Sequence, residues 1–198
     1  MDKCPIGIVI LAAGASLRLG QPKQLLAYQG KTLLENAIEA ATESKALETA
    51  VVLGGNESAI RRQINLGQTL VISNPKWEKG MSSSLRLGLN FLISRRPLEG
   101  ILFMLVDQPF VDAALLDKMM DNWVKNRKGI VACAYQNTLG VPVIFGKDYY
   151  PELLALSDAE GAKKVIYSHP TDTSVIDFPL GSVDVDTLQD YKKLLGKS

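Results

Sequence analysis

Short apolar runs alternate with amphipathic segments along almost the whole of this 198-residue chain, and this alternation limits its fold more than any other feature. Continuous apolar runs are typical of buried strands, whereas apolar residues three and four positions apart are typical of helices. Strands are predicted over residues 6–12, 49–53, 70–73, 100–106, 130–134, 141–145 and 175–178. Helices are predicted over residues 32–42, 58–64, 82–93, 115–124, 151–156, 161–167 and 186–195. Strands separated by helices indicate a three-layer α/β fold, with a doubly wound, mostly parallel sheet and helices on both of its faces.

Two local signals sharpen this prediction. Thr32 followed by Glu35 is the sequence signature of a capping box, in which the two side chains satisfy free N–H groups at a helix start. Residues 100–106 are almost all apolar, which predicts a strand buried on both faces. Because ligands of such sheets bind beyond the carboxyl ends of the strands, the segments that follow strands are where a site is expected.

Size, charge and cysteine content narrow the classes of function. A chain of this length supports one domain, which we expect to span residues 1–198. The 22 lysines and arginines against 21 acidic residues give a net charge of +1, which favours neither nucleic acid nor an acidic membrane as a partner. No apolar run approaches the ~20 residues that cross a bilayer, and no basic leader precedes residues 6–13, so we expect a cytoplasmic protein. Cys4 and Cys133 belong to no paired motif and are predicted to be buried thiols.

The loop after the first predicted strand has the clearest binding signal. Its candidate nucleotide-binding residues are Leu11, Ala12, Ala13, Gly14, Arg18 and Lys23. Small residues let a ligand approach the backbone, whose successive N–H groups can cradle phosphate oxygens. Arg18 adds a planar fork of donors and Lys23 a compact point charge, and residues 3–34 hold four cations and no carboxylate. This composition favours a triphosphate, with a surface loop carrying two solvated cations as the alternative.

Three other motifs fail in this chain. Residues 30–32 end like a P-loop, but Leu25 stands where that motif requires glycine. Ser16 stands where the dinucleotide fingerprint requires its second glycine, which disfavours a nicotinamide-dependent oxidoreductase. Residues 80–84 resemble a nucleophile elbow that lacks its final glycine.

Acidic residues follow the predicted strand 100–106 and precede the last predicted helix. Asp107 ends that strand at the expected ligand edge, where a carboxylate suits Mg²⁺, although it could instead cap the next helix, a role for which Asp112 lies closer. Asp184 and Asp186 point the same way if their segment is extended, so either could complete a metal site. Asp186 could also cap the last helix. The predicted metal ligands are therefore Asp107, Asp184 and Asp186.

The predicted helix 82–93 begins with three serines, whose hydroxyls could contact an anion or a nucleobase together with the free N–H groups of the helix start. Gly80, Ser82, Ser83 and Ser84 are therefore included in the predicted nucleotide site. Gly54 is included because it follows the second predicted strand, where it could clear space for a base or simply form a turn. Arg86, one turn into the helix, could face ligand or solvent.

Four blocks of sequence, in order over nearly the whole chain, resemble the MobA-like nucleotidyltransferases, and most closely the molybdenum cofactor cytidylyltransferases. They are residues 11–14 with Arg18, Gly20, Lys23 and residues 25–26; residues 80–86; residues 107–109; and residues 184–187. The resemblance implies a nucleotide-diphospho-sugar transferase-like fold. It also implies transfer of a nucleoside monophosphate from a triphosphate to a phosphorylated acceptor, with release of pyrophosphate.

In the closest branch the triphosphate is CTP and the acceptor is the molybdopterin form of the molybdenum cofactor. The product serves enzymes of the xanthine dehydrogenase type, so the resemblance implies such an apoenzyme as a partner. Bringing two anions together requires charge neutralisation and positioning rather than a covalent nucleophile. We therefore expect Arg18, Lys23 and Asp107 to be catalytic, with Mg²⁺ as the cofactor.

The chain departs from the family pattern in three places, two of which bear on the acceptor. Leu19 stands where the family usually has methionine, Val141 stands before Pro142 where it commonly has histidine, and the segment 157–162 is one residue longer than the family's Gly-Asp-x-Gly-Ala. The last two lie where an acceptor is expected, so a sugar phosphate or an isoprenoid phosphate stays open as the acceptor. A nucleotide-binding assembly partner of a molybdoenzyme is a further alternative, although the intact cations and Asp107 speak against lost catalysis.

Overall fold

The computed structural model describes residues 4–67 and 69–196. In this part of the chain the strands are β1 (Cys4–Ala12), β2 (Ala27–Tyr28), β3 (Lys31–Thr32), β4 (Ala46–Leu53), β5 (Leu70–Ser73), β6 (Gly100–Leu105), β7 (Ile130–Tyr135), β8 (Thr138–Gly146) and β9 (Thr173–Asp177). The helices are α1 (Leu33–Glu43), α2 (Glu57–Gln63), α3 (Met81–Arg95), α4 (Ala113–Asn126), α5 (Tyr150–Ala155), α6 (Ala162–Ser168) and α7 (Leu188–Leu195). Across these same residues, no helix is both long and apolar enough to cross a membrane.

Seven strands form one sheet in the order β5-β4-β1-β6-β8-β7-β9, and β2 and β3 pair in a separate hairpin. Strands β5, β4, β1 and β6 run parallel to one another. Strand β8 is antiparallel to both of its neighbours, and β9 at the edge runs parallel to β7. The predicted mostly parallel sheet is confirmed.

Strand β1 shows why helices must cover both faces of the sheet. Ile6, Ile8 and Ile10 are buried in one core with α1 and α4, whereas Val9 and Leu11 are buried in a second core with α3, α5 and α6. Successive side chains of a strand point to opposite faces, so a run that is apolar at every position needs cover on both sides. The prediction of helices on both faces is confirmed.

Pairing in register brings the ends of three strands to one edge of the sheet. Leu11 of β1 pairs with Leu105 of β6, and Ala12 pairs with Leu53 of β4. The segments that follow these strands therefore begin side by side. This edge is where ligands of doubly wound sheets bind.

Helix starts confirm one sequence prediction and correct another. Thr32 and Glu35 form the predicted capping box at the start of α1. Asp186 does not cap the last helix, because Thr187 does so and accepts a hydrogen bond from the Asp190 N–H at 3.2 Å. Helix α7 thus begins two residues later than predicted, and the Asp186 carboxylate is left for other contacts.

Candidate functional site

A cavity of about 500 Å³ opens at the carboxyl ends of β1 and β6. The predicted site residues that line it are Leu11, Ala12, Ala13, Gly14, Arg18, Lys23, Gly80, Ser84, Asp107, Asp184 and Asp186. A larger cavity of about 580 Å³ lies at the opposite end of the sheet, near Thr49 and Leu70, and contains none of them. We take the smaller cavity as the candidate site, because it alone of these two lies at the edge where such folds bind ligands.

In the loop after β1, each carbonyl of residues 12–15 accepts a hydrogen bond from a residue outside the loop. The side-chain amide of Gln24 donates to the carbonyls of Ala12 and Gly14. The carbonyls of Ala13 and Ala15 accept from the Gly55 N–H and the Asn56 amide, both at 3.0 Å. Within the described residues, none of the N–H groups of residues 14–18 donates to an acceptor. Unpaired N–H groups on successive residues suit an anionic ligand.

Lys23 links the loop to two of the predicted acidic residues. Its ammonium nitrogen lies 2.8 Å from Asp107 Oδ2 and 2.6 Å from Asp186 Oδ1. Arg18, whose side chain is 70% exposed, lies 2.6 Å from the other carboxylate oxygen of Asp186. The Val185 N–H donates to the Asp107 carbonyl at 3.1 Å, which holds the segment around residues 184–186 against the end of β6.

These contacts set the protonation of the site. Burial lowers the pKa of Lys23, but the charges and hydrogen bonds of Asp107 and Asp186 outweigh it, so the pKa stands above its usual value. The hydrogen bond from Lys23 is the largest cause that lowers the pKa of Asp186. Burial, followed by the charges of Asp107 and Asp186, raises the pKa of Asp184. Lys23 and Arg18 therefore neutralise the charge of Asp186, whereas the charges that act on Asp184 are those of other carboxylates.

The acidic residues fit a hard divalent cation only in part. Asp107 Oδ1 is buried and accepts no hydrogen bond within the described residues. Across residues 4–67 and 69–196, no group of three or more His, Cys, Asp or Glu side chains is arranged to hold a metal ion. Mg²⁺ binds through few protein oxygens and keeps waters and substrate phosphates, so the buried Asp107 Oδ1, with two acids nearby, would supply part of its ligands.

The start of α3 contributes less than predicted to the cavity wall. The Ser82 hydroxyl donates to the Glu160 carbonyl, and the Ser83 hydroxyl donates to the Gly80 carbonyl at 2.8 Å. Neither side chain is part of the cavity wall, which includes Ser84 and Gly80. Gly80 adopts a φ of 100°, which favours glycine.

Gly54 and Arg86 have structural partners rather than open space. A Cβ added at Gly54 would lie 2.7 Å from both the Ala13 carbonyl oxygen and Trp77 Cβ. The absence of a side chain at Gly54 therefore lets the loop after β1 and Trp77 pack against this position. Gly54 is not part of the cavity wall. The Arg86 guanidinium donates to the Leu156 carbonyl and to the Asp158 carboxylate, which fastens the segment after α5 to α3.

Sequence analysis missed several residues that line the cavity. They are Gln24, Trp77, Glu78, Met81, Leu105 and Val106. Leu105 and Val106 adjoin Asp107 and could have been added by position alone. Gln24 carried no sequence signal, because its importance comes from a buried side chain that bends back to the loop.

A family model described as the MobA-like NTP transferase domain matches residues 8–173. The chain belongs to the MobA-like NTP transferase family. Its sheet order and helix layers are those of the nucleotide-diphospho-sugar transferase-like fold. Three of the four sequence blocks lie within the matched residues 8–173 of this MobA-like protein, and residues 184–187 follow them.

Relatives of this MobA-like chain carry different names. It is 32% identical to the Nicotine blue oxidoreductase of Paenarthrobacter nicotinovorans over 199 residues, which cover 94% of this chain and 95% of that protein. The crystal structure of Rv0371c from Mycobacterium tuberculosis H37Rv matches this chain with 36% sequence identity and a TM-score of 0.84. The match covers 99% of this chain and 100% of that chain. A second Rv0371c structure, solved as a complex with manganese, matches this chain with 32% sequence identity and a TM-score of 0.78. That match covers 98% of this chain and 99% of the other.

Proposed function

We propose that this chain transfers CMP from CTP to the molybdopterin form of the molybdenum cofactor and releases pyrophosphate. The observation that carries the proposal is the position of Lys23, which joins a loop of unpaired N–H groups to Asp107 and Asp186. Phosphate-binding donors and acidic residues thus line one cavity. Nucleotidyl transfer needs both, because an anionic acceptor attacks an anionic triphosphate.

The residues of the chain have separate tasks in this proposal. The N–H groups of the loop and the exposed Arg18 fork hold the phosphates, and Lys23 neutralises charge at the α-phosphate during attack. Asp107, with Asp184 or Asp186, would hold Mg²⁺, which supplies charge neutralisation on the phosphate oxygens when bound. An Rv0371c structure solved as a complex with manganese supports the use of a divalent cation in this family.

The nucleotide and the acceptor rest on the sequence resemblance. CTP and the molybdopterin acceptor follow from the cytidylyltransferase branch, and so does an apoenzyme of the xanthine dehydrogenase type as a partner. We propose that residues 1–198 act as one domain in the cytoplasm, a compartment that suits the free thiols of Cys4 and Cys133. A sugar phosphate or an isoprenoid phosphate remains the alternative acceptor, since the lengthened segment 157–162 departs from the family pattern.

A redox function is the second candidate, because one relative at 32% identity is named an oxidoreductase. The absence of the dinucleotide fingerprint in the sequence speaks against it, since Ser16 occupies the second glycine position. The two hypotheses differ in what they consume. One uses a triphosphate and the other a reductant.

Pyrophosphate release tests the proposal. The protein is assayed with CTP, GTP, ATP and UTP in Mg²⁺, with and without molybdenum-loaded molybdopterin, and in parallel for NADH oxidation with nicotine blue. We expect pyrophosphate from CTP only when the acceptor is present, and no NADH oxidation. Pyrophosphate release with GTP instead of CTP would show that the nucleotide in the proposal is wrong. NADH oxidation without any pyrophosphate release would favour the oxidoreductase function over the transferase.

A further inference from the structure

Gln24 is a buried residue in the wall of the candidate site, with 1% of its surface exposed. It follows Lys23 in a short 3-10 turn, Lys23–Leu25, and its side chain bends back to the loop after β1. The amide nitrogen lies 2.6 Å from the Ala12 carbonyl oxygen and 3.0 Å from that of Gly14. Both amide hydrogens are thereby used, and the reverse amide orientation would place oxygen against two carbonyl oxygens.

These two bonds determine how the loop backbone is directed. In a planar trans peptide, the C=O of one residue and the N–H of the next point in opposite directions. Because the Ala12 and Gly14 carbonyls point to Gln24, the N–H groups of Ala13 and Ala15 point away from it. Gln24 thus holds the carbonyls of Ala12 and Gly14, whereas Gly55 and Asn56 hold those of Ala13 and Ala15.

We propose that Gln24 is a positioning residue for the triphosphate. It holds the Ala12 and Gly14 carbonyls to itself, so that the loop presents the Ala15 N–H rather than these two carbonyl oxygens to the phosphates. Without it, carbonyl oxygens of Ala12 and Gly14 lose their donor and are free to turn toward the anionic ligand, which they repel. This inference rests on the proposed function, because it assumes that the loop binds the phosphates of a nucleotide.

Gln108 offers a matched control within the same protein. It is also buried, with 6% of its surface exposed, and its amide donates to the carbonyls of Val141 and Gly181 at 3.1 and 3.0 Å. The side-chain oxygens of both glutamines are buried without a hydrogen-bond partner in the part of the chain described. Gln108 is not part of the cavity wall, so replacing it removes two buried amide-to-carbonyl hydrogen bonds away from the candidate site.

The test compares the wild type with Gln24→Met and Gln108→Met by calorimetric titration of CTP and of CMP, in Mg²⁺ and without acceptor. We expect Gln24→Met to weaken CTP binding about tenfold and CMP binding less than about threefold, because CTP makes more phosphate contacts with the loop. Gln108→Met should leave the CTP-to-CMP ratio unchanged, with a similar loss of thermal stability. Should Gln24→Met fail to fold, Gln24→Leu makes the same comparison.

Two failures of this test have different meanings. If the wild type binds no nucleoside triphosphate, the proposed function fails and takes the inference with it. If the wild type binds CTP tightly but Gln24→Met weakens CTP and CMP equally, or weakens neither, Gln24 is only a structural residue and the inference is overturned.

Discussion

The ammonium nitrogen of Lys23 lies 2.8 Å from a carboxylate oxygen of Asp107, so the loop after β1 and the end of β6 are joined by an ion pair. Both side chains are largely buried, with 13% and 16% of their surface exposed. The same nitrogen also contacts Asp186 at 2.6 Å. An ammonium group that a phosphate could contact is thus held between two of the acids proposed to bind the metal.

Lys23→Met should change metal and nucleotide binding in opposite directions. Removing the cation leaves Asp107 and Asp186 without their partner, so Mn²⁺ should bind more tightly in the absence of nucleotide. CTP with Mg²⁺ should bind about tenfold more weakly, because a phosphate contact is lost. Electron paramagnetic resonance of free Mn²⁺ measures the first effect and calorimetry the second.

Arg18→Met is the comparison for this pair of measurements. Arg18 contacts only one of the two acids and its side chain is 70% exposed, so its removal should raise Mn²⁺ affinity less than the removal of Lys23 does. Equal effects of the two variants, or no gain for Lys23→Met, would contradict the position of Lys23 between the metal ligands.

Asp107→Asn should reduce metal-dependent turnover by at least about a hundredfold while the protein stays folded. The amide keeps the size of the side chain but loses the charge, and Asp107 Oδ1 is a buried oxygen without a hydrogen-bond partner in the described residues. Initial rates of pyrophosphate release over a range of Mg²⁺ concentrations measure the loss. Asp177→Asn, at the exposed end of β9, is the control and should keep the wild-type rate; retained activity in Asp107→Asn would remove its metal role.

Asp184→Asn and Asp186→Asn should shift the melting temperature in opposite directions at pH 7 in EDTA. Asp184 has a raised pKa, so its ionised form costs stability above the usual value of 3.8, and the amide should raise the melting temperature slightly, because solvent around this exposed residue screens the repulsion. Asp186 has a lowered pKa, so its carboxylate stabilises the fold above 3.8 and its loss should lower the melting temperature.

The same linkage predicts how these differences depend on pH. As the pH falls through the raised pKa of Asp184, the wild-type carboxyl becomes protonated and the advantage of Asp184→Asn disappears. The deficit of Asp186→Asn disappears only below 3.8, where the wild-type carboxyl is protonated in the folded protein too. Thermal melts from pH 3 to pH 7 measure both; shifts of the same sign at pH 7 would contradict the account.

Sequence reasoning found the features that depend on local pattern. The strand that ends at Asp107, the capping box of Thr32 and Glu35, and the small residues after β1 all follow from periodicity and residue type. These features were enough to predict the sheet and most of the residues that line the cavity, because parallel strands that end together bring the segments after them together.

The features that sequence reasoning missed depend on contacts between distant residues. The tight turn between β7 and β8 uses left-handed backbone at Gln136 and Asn137, and glutamine gives no signal for it, so the early start of β8 was not predicted. Gln24 was missed because its position comes from hydrogen bonds to the loop after β1, and Trp77 was missed because it packs against Gly54 and Gly55 after β4. Gly54 was predicted either to clear space for a base or to form a turn, and the contact that its missing side chain permits with Trp77 was not foreseen.

Gly14→Ala and Gly88→Ala should separate binding from stability. A Cβ at Gly14 would meet no protein atom within 4 Å, so the variant should keep its stability but weaken CTP binding about tenfold if the phosphates approach this backbone. A Cβ at Gly88 would lie 2.5 Å from Val9 Cγ1 in the buried contact between α3 and β1. That variant should lose about 1–3 kcal/mol of unfolding free energy and keep its CTP affinity, as urea melts and calorimetry can check.

The measurement that tests the central claim most directly follows two labels of CTP in parallel. With ³²P at the α-phosphate, we expect label to appear in the molybdopterin product; with ³²P at the γ-phosphate, we expect all label in pyrophosphate. Asp107→Asn should give neither product. If α-labelled CTP yields only free CMP, or if neither label moves while the folded protein turns over a redox dye, then this chain is not the nucleotidyltransferase that its site supports.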